Sequence, residues 1–130
     1  MRMRMTLAAV AAAACVALTG AANPSQAHTP TSEQSASAAL RHAADQCGAG
    51  EICFWQNRNY SGTPWRWTPG SGYRDMPAYL HDHVYSFYSN ANGCFIDWAP
   101  QEKRRVGVGD YAKVYDTNFG KRIDAVGPTC

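Results

Sequence analysis

The sequence predicts an all-β domain, a β-sandwich of about eight short strands held together by two disulfides. Short aromatic and β-branched runs alternate with Gly, Pro, Asn and Ser about every ten residues, which is typical of small antiparallel folds. Four cysteines follow a segment with export character, and an even number in a small exported chain indicates disulfides. The region that carries the strands is also short, so covalent links contribute strongly to its stability.

Residues 1–27 have the features of a secretory signal peptide. Arg2 and Arg4 form a basic start, and an apolar, alanine-rich run follows that is shorter than a membrane span requires. Small residues then place the cleavage point after Ala27, with cleavage after Ala22 as the alternative. We therefore expect a secreted, extracellular protein.

Removal of this segment changes the charge of the chain. Arg2 and Arg4 leave, so ten basic residues face ten acidic ones and the formal net charge falls from +2 to zero. That balance gives no reason to expect a nucleic acid or a membrane as partner. Cys15 leaves as well, and a lipid anchor at Cys15 is disfavoured because three alanines precede it.

The four remaining cysteines are Cys47, Cys53, Cys94 and Cys130. They allow three pairings, and their spacing favours Cys47–Cys53 and Cys94–Cys130. Loop-closure entropy assigns about 2.4 kcal/mol to the short loop and about 3.8 kcal/mol to the long one. A zinc site is the competing interpretation, which the lack of a paired C-x-x-C spacing disfavours.

Residues 28–46 are rich in Ala, Ser, Thr and Gln, which predicts a flexible or weakly helical leader ahead of a domain at 47–130. The stretch 31–34 is prone to capping, and residues 38–44 have helix formers for about two turns. An isolated helix of that length is marginal in water, so we expect either a flexible leader or a loosely docked helix, outside the core.

The first strand of the domain is Ile52–Trp55, an apolar run between turn formers. It continues into Trp55-x-x-x-x-Tyr60-x-Gly62, a pattern that predicts a hairpin folded back on its own sheet. Tyr60 is expected to lie against Trp55, a contact that adds about 0.5–1.5 kcal/mol beyond area burial. Gly62 suits the fold-back because glycine adopts a positive φ without steric cost.

This aromatic-x-x-x-x-aromatic-x-Gly pattern resembles the folded hairpin of β/γ-crystallin Greek-key motifs. The ring before it, Cys47-x-Ala-Gly-x-Ile-Cys53, is similar to the start of a secreted bacterial peptidase-inhibitor family of the same fold, which includes metalloproteinase inhibitors. Residues 84–88 and Asn92-Gly93-Cys94 resemble that family's fourth strand and the turn into its second motif. The resemblance implies a double Greek-key β-sandwich over 47–130 that acts as a monomer on an extracellular protease.

The remaining strands are predicted from short β-prone runs between turn signals. In the first half they are residues 63–67, the pair Tyr79 and Leu80, and residues 84–89. In the second half they are residues 94–98, 103–108, 111–115 and 122–126. The second half departs from the family pattern, because Lys103 and Arg105 stand where an aromatic residue and a glycine are expected.

His81, Asp82 and His83 form the one cluster with metal-ligand character in the sequence. The resemblance places a calcium motif near this stretch, but only Asp82 and Ser86 match it, and imidazole is a poor calcium ligand. A polar turn is the ordinary explanation of the cluster. We expect no metal and no cofactor, and Ser86 is interpreted structurally, as a hydroxyl that bonds across to the folded hairpin.

No catalytic set is joined by spacing in the sequence. A ribonuclease-like site would need an acid, a base and cations around a phosphate, and His81, His83, Arg104 and Arg105 supply these types without a connecting pattern. Ser86 lies in no strained turn such as G-x-S-x-G. The sequence therefore predicts a binding protein without catalytic residues rather than an enzyme.

The resemblance implies inhibition of an extracellular protease, with metalloproteases among the targets, through a rigid exposed loop. The candidate loop is a hairpin tip over 100–105 that carries Gln101, Glu102, Lys103, Arg104 and Arg105. A solvated polar hairpin is the ordinary explanation of these residues. The alternative function is a secreted β/γ-crystallin-like binding or toxin-like module for a carbohydrate or cell-surface ligand. Aromatic side chains can stack on sugars, although core and rim packing is their ordinary explanation; the candidates are Trp55, Tyr60, Trp65, Trp67, Tyr73, Tyr85 and Tyr88.

Overall fold

The computed structural model describes residues 29–130, so the predicted signal peptide lies outside the described residues. Within them, one α-helix accompanies eight strands in two antiparallel sheets. The elements are α1 (Ser32–Gln46), β1 (Ile52–Trp55), β2 (Trp65–Trp67), β3 (Arg74–Asp75), β4 (Ser86–Ser89), β5 (Gly93–Trp98), β6 (Gln101–Val106), β7 (Tyr111–Ala112) and β8 (Ala125–Gly127). Over residues 29–130, no helix has the length and apolar character that a membrane crossing requires.

Each half of the domain contributes its third strand to the other sheet. The first sheet has the order β2-β1-β4-β7, and the second has the order β3-β8-β5-β6. In both halves the fourth strand lies beside the first, β4 on β1 and β8 on β5. The exchange of β3 and β7 joins the two halves, so neither sheet belongs to one half of the sequence alone.

The main core is centred on aromatic rings from both sheets. Phe95 of β5 lies 5.3 Å from Phe54 of β1 and 5.0 Å from Phe87 of β4, measured between ring centroids. All three rings are buried, and Leu80 and Ile123 from the connecting loops belong to the same cluster. Tilted and edge-to-face aromatic pairs add to the free energy gained from burying apolar area, so these contacts hold the two sheets together.

The β1–β2 connection folds back over its own sheet. Trp55 and Tyr60 meet edge to face with 5.2 Å between ring centroids, and both are buried. The Ser86 hydroxyl donates to the Asn57 carbonyl at 2.6 Å and accepts from the Tyr60 N–H at 3.0 Å, which links the hairpin to β4. Gly62 has a φ of +89°, in the region that favours glycine over residues with a side chain.

The leader is a docked helix rather than a flexible segment. α1 has 15 residues, longer than the two turns predicted, and begins with a capping box between Thr31 and Gln34. Ala43 is fully buried in one cluster with Trp55, and the Trp55 indole N–H donates to Gln46 at 3.3 Å. The expected position outside the core was wrong, because tertiary packing against β1 stabilises a segment whose intrinsic helix tendency is weak.

Both disulfides have the pairing that the spacing favours. Cys47 is bonded to Cys53 with 5.8 Å between Cα atoms, and Cys94 is bonded to Cys130 with 5.2 Å. The first joins the end of α1 to β1, and the second joins β5 to the segment after β8. Both ends of the β-sandwich are therefore attached covalently to its sheets.

The third strand lies earlier in the chain than predicted. It is Arg74–Asp75, which pairs with β8. Tyr79 and Leu80, the predicted strand, lie in a turn in which the Pro77 carbonyl accepts from the Leu80 N–H at 2.8 Å. The prediction was wrong because the side chain of Leu80 reaches the core from a turn, while Tyr79 remains about half exposed.

The strands of the second half are displaced or shorter than predicted. The β5–β6 turn contains only Ala99 and Pro100, so β6 begins at Gln101, two residues earlier than expected. β7 is limited to Tyr111–Ala112 and β8 to Ala125–Gly127. The backbone between them bonds to other segments instead of extending the ladders; for example, the Tyr115 N–H donates to the Tyr85 carbonyl at 2.8 Å.

Candidate functional site

The five residues predicted to form an exposed tip lie on an edge strand. Gln101, Glu102, Lys103, Arg104 and Arg105 all belong to β6, the last strand of the second sheet. A strand rises about 3.3 Å per residue, so Gln101 and Arg105 are about 13 Å apart along it. The predicted tip was wrong, because the turn at Ala99 and Pro100 reverses the chain and the five residues extend away from it.

Two of these side chains hold β6 on the domain. The Arg104 guanidinium lies 4.8 Å from the Phe119 ring centroid and donates to Asn118 at 2.9 Å. Glu102 accepts from Arg104 at 3.3 Å and is also bonded to Arg122. A cation over an aromatic face and a chain of ion pairs both stabilise this edge. Glu102 and Arg104 are therefore structural, whereas the period of two turns Lys103 to the opposite face.

Arg105 lies at the far end of β6, away from the turn. It lines a groove of about 590 Å³ together with Asp110, Thr129 and the disulfide-bonded Cys130. Only Gln101 and Lys103, among the five predicted residues, lie on the exposed face next to the β5–β6 turn. The five predicted residues therefore lie in three different places instead of one loop: Glu102 and Arg104 pack on the domain, Arg105 lines the groove at the far end of β6, and Gln101 and Lys103 lie near the turn.

The tip of the β5–β6 hairpin, residues 98–101, is exposed but braced by carboxylates. Asp124 accepts from the Trp98 N–H at 2.8 Å, and Asp97 accepts from the Ala99 N–H at 3.1 Å. Asp97 itself is buried, with 4% of its surface accessible. Hydrogen bonds from backbone N–H groups to charged carboxylates are stronger than neutral ones, so the turn is held in one conformation.

The Trp98 side chain is fixed by its neighbours although 44% of the residue is exposed. Its indole N–H donates to the Tyr73 hydroxyl at 2.8 Å, and the His81 ring centroid lies 5.2 Å from that of Trp98. His81 Nδ1 lies 3.0 Å from Asp124, the same carboxylate that bonds the Trp98 backbone. Trp98 and Tyr73, which is 52% exposed, form what we call the aromatic pair.

A groove of about 380 Å³ runs beside the aromatic pair on the outer face of the second sheet. Ile96 provides buried apolar surface in this groove, and Gln101, Lys103 and Thr129 line its exposed sides. Lys103 forms no ion pair with any residue of the described range 29–130. The groove therefore combines apolar rings, hydrogen-bonding groups and one cation that is available to a partner.

The histidine cluster does not converge on one point. His81 pairs with Asp124, whereas the His83 ring stacks on Tyr85 with 5.7 Å between centroids. His83 Nδ1 donates to the His81 carbonyl at 2.6 Å. The two imidazoles thus have separate structural partners, as a polar turn would provide.

One group of potential metal ligands lies close together in the part of the chain from residue 29 onward. It consists of Cys47, Glu51 and Cys53, whose ligand atoms lie within 4.8 Å of one another. The two sulfurs form a disulfide and are not available as thiolates, the form in which cysteine binds a metal. This group therefore belongs to the covalent framework.

Sequence reasoning placed the exposed tip too late in the chain and named neither Trp98 nor Asp124 as part of it. One signal was present, since Trp98 directly precedes the turn residues Ala99 and Pro100. Its partners Tyr73 and Asp124 come from distant segments, and no local pattern joins them to Trp98.

An exposed aromatic pair at a braced hairpin tip, on two sheets restrained by two disulfides, is typical of the surface of a small binding protein. Tryptophan and tyrosine are the side chains that most often anchor protein interfaces, because they bury a large area with few rotatable bonds.

Comparisons with known proteins extend this description. Residues 41–98 match the model of peptidase inhibitor family I36. Over 84 residues the chain is 40% identical to an uncharacterized gerABC family protein of Dictyostelium discoideum, which covers 65% of this chain and 76% of that relative. It is 30% identical over 81 residues to spore germination proteins 1 and 2 of the same organism, which covers 61% of this chain and 64% of each relative. No solved structure matches the chain.

The chain belongs to the gerABC family. The model match over residues 41–98 supports a peptidase-inhibitor family, implies a peptidase as partner and suggests a non-catalytic protein. The chain spans just under two thirds of the length of the two spore germination proteins. The relatives named above come from Dictyostelium discoideum, so the bacterial origin stays a prediction.

Proposed function

We propose that this chain is an exported inhibitor of an extracellular peptidase, with metallopeptidases as the first class to test. The observation that carries the proposal is the match of residues 41–98 to a peptidase inhibitor family. The signal-like segment 1–27 motivates export, and the resemblance seen in the sequence motivates both the metallopeptidase class and a monomeric inhibitor.

The physical character of the fold supports inhibition. An inhibitor must remain uncut while it occupies a peptidase cleft, which requires that its exposed segments seldom open locally. The bonds Cys47–Cys53 and Cys94–Cys130 restrain both ends of the β-sandwich, and carboxylates brace the β5–β6 tip. A surface that is already ordered loses less conformational entropy on binding, so more of the contact energy appears as affinity.

The β5–β6 hairpin is the surface best suited to this function. β6 lies at the edge of its sheet, and half of the backbone N–H and C=O groups of an edge strand point away from its neighbour. Peptidase clefts and other peptide-binding sites use such an edge to pair with an extended segment, while the side chains provide selectivity. The proposed contact therefore comprises the tip at residues 98–101 and the adjoining outer edge of β6.

We also infer that the fold is a crystallin-like pair of Greek keys. The exchange of β3 and β7 between the sheets supports this, as do the folded hairpin from Trp55 to Gly62 and its link to Ser86. The second half lacks such a folded hairpin, because its corresponding connection is the two-residue turn after Trp98. A solved structure in which the second half adopted another strand order would contradict the inference.

The test is to titrate purified residues 28–130 against one extracellular peptidase of each mechanistic class: metallo, serine, cysteine and aspartic. We expect stoichiometric inhibition of the metallopeptidase. The control is the same chain reduced and alkylated, which should be degraded instead. If none of the four classes is slowed, the proposal is wrong, and retention on a polysaccharide in that case would favour the alternative binding module.

A further inference from the structure

The aromatic pair differs from the buried tryptophans of the domain in its exposure, and from the exposed Tyr79 and Tyr111 in the hydrogen bond that joins its two side chains. Trp55 and Trp67 are at most 1% exposed, whereas Trp98 and Tyr73 are each about half exposed and lie next to a hairpin tip. Exposed apolar residues need no explanation when they are scattered singly. Two neighbouring aromatic side chains that are fixed by hydrogen bonds at a hairpin tip do need an explanation.

We propose, on the basis of the inhibitory function proposed above, that Trp98 is the anchor residue and inserts into an apolar specificity pocket of the peptidase. Tyr73 is its positioning residue, and Lys103 contacts acidic or carbonyl oxygens at the rim of the cleft. The partner is thus a peptidase that accepts large apolar side chains and has a negatively charged or acceptor-rich cleft edge.

The first argument is preorganisation. The Trp98 backbone N–H is held by Asp124, its indole N–H by the Tyr73 hydroxyl, and one side of its ring contacts His81. An interface side chain that is ordered before binding avoids about 0.5–1.5 kcal/mol of entropic cost. Residues that dominate binding energy are most often tryptophan, tyrosine and arginine in such central, well-packed positions.

The second argument is the chemistry that the pair presents. The polar atom of the Trp98 indole and the Tyr73 hydroxyl are bonded to each other at 2.8 Å. What remains exposed is largely ring carbon, which suits an apolar pocket. A sugar also stacks on such rings, so polysaccharide retention is measured beside inhibition.

The third argument is charge. Glu102, Arg104 and Arg122 compensate one another along the inner side of β6. On the outer side Lys103 is exposed, lines the groove beside the aromatic pair and has no acidic partner in the range 29–130. A cation next to an apolar anchor matches a pocket whose rim carries carboxylate or carbonyl oxygens. This charge complementarity also speeds association at low salt.

The test compares Trp98→Ala with Tyr79→Ala, because Tyr79 is 49% exposed and lies in a turn outside the aromatic pair and its groove. Inhibition constants are measured on a metallopeptidase that cleaves beside large apolar residues, together with melting temperatures of both variants. We expect Trp98→Ala to weaken inhibition about tenfold or more with little change in melting temperature. Tyr79→Ala should leave both unchanged, and Trp98→Phe, which keeps an apolar ring but loses the hydrogen bond to Tyr73, should inhibit less than wild type and more than Trp98→Ala.

Further outcomes separate the two proposals. If the wild-type chain inhibits this peptidase and Trp98→Ala inhibits equally well, the anchor is wrong and the inhibitory function stands. If the wild-type chain inhibits no peptidase, both proposals are wrong. If Trp98→Ala unfolds, Trp98→Phe and Lys103→Ala are compared instead. The anchor predicts partly weakened inhibition for Trp98→Phe and weakening that depends on salt for Lys103→Ala, and unchanged inhibition in both would contradict it. If the wild-type chain inhibits no peptidase but is retained on a polysaccharide, and Trp98→Ala is not retained, the aromatic pair binds a glycan instead.

Discussion

The Ser86 hydroxyl lies 2.6 Å from the Asn57 carbonyl oxygen, 29 residues away in the sequence. The same hydroxyl accepts from the Tyr60 N–H at 3.0 Å and is fully buried. One side chain therefore satisfies two backbone groups of the folded hairpin and joins that hairpin to β4. An alanine at this position would leave both groups without this partner.

We predict that Ser86→Ala lowers the free energy of unfolding by about 2–4 kcal/mol, because each backbone group left unsatisfied costs about 1–3 kcal/mol. Urea denaturation measures the change. The matched control is Ser61→Ala in the same hairpin, whose side chain is exposed and which should stay within about 0.5 kcal/mol of wild type. Equal losses in the two variants would contradict the bridging role of Ser86.

Gly62→Val should destabilise the protein more than Gly70→Val. Gly62 has a φ of +89°, and a new Cβ there would lie 3.3 Å from the Asn57 amide nitrogen. Gly70 has no positive φ, and a Cβ there would have open space. We expect a difference of about 1–3 kcal/mol in the free energy of unfolding, the cost of forcing a β-branched residue to positive φ. Similar melting temperatures for both variants would show that the fold-back does not require glycine.

Stability should fall as the pH rises from about 10 to about 12. Burial raises the pKa of Tyr115 to about 12, and burial, with smaller contributions from Tyr111 and Tyr88, raises the pKa of Tyr60 to about 12. The unfolded chain releases these protons near pH 10, so unfolding releases protons between the two values and is favoured there.

The measurement for this pH dependence is the melting temperature between pH 9 and pH 12. Tyr60→Phe should flatten the decline, since it removes one of the tyrosines whose pKa is raised and keeps the ring against Trp55. Tyr79→Phe is the control, because Tyr79 is about half exposed. A decline that is as steep in Tyr60→Phe as in wild type would exclude Tyr60 as a cause.

The processed protein should contain no free thiol, because Cys47, Cys53, Cys94 and Cys130 form two disulfides. Alkylation without a reductant should leave the intact mass unchanged, and alkylation after reduction should add four labels. One or two labels before reduction would contradict the pairing. Reduction should also lower the melting temperature, since each bond restrains the unfolded chain.

Folding should require neither Ca²⁺ nor Zn²⁺. His81 and His83 have separate structural partners, and Cys47 and Cys53 are bonded to each other. The melting temperature should therefore be the same in EDTA and in buffer with either ion. A drop of many degrees in EDTA would show that a metal contributes to the fold.

Local stereochemistry explains which parts of the fold are readable in the sequence. Trp55, Tyr60 and Gly62 lie within eight positions, and their contact and positive φ follow from one short turn. The short spacing of Cys47 and Cys53 likewise favours a bond between them. The third strand was misplaced because Leu80 has the residue type of a strand but enters the core from a turn, a distinction that depends on packing.

The contacts of the candidate site, in contrast, could not be predicted from the sequence. Trp98, Tyr73, His81 and Asp124 meet at the β5–β6 tip, and the hydrogen bonds between them join residues that are 25 to 43 positions apart. No periodicity or spacing connects them, because Tyr73 and Asp124 come close to Trp98 only through the pairing of β3 with β8 and of β8 with β5 in the second sheet. The loop prediction failed for a related reason: the strand tendency of residues 101–105 is set by pairing with β5 rather than by their own composition.

By itself the sequence determined the mostly β character of the domain, the four cysteines that form the disulfides, and the aromatic fold-back; the 15-residue helix α1 shows that the class is not all-β. The tertiary structure decided the exchange of β3 and β7, the docking of α1 and the braced position of Trp98. These features depend on contacts between distant segments, whose free energy appears only once a common core has formed.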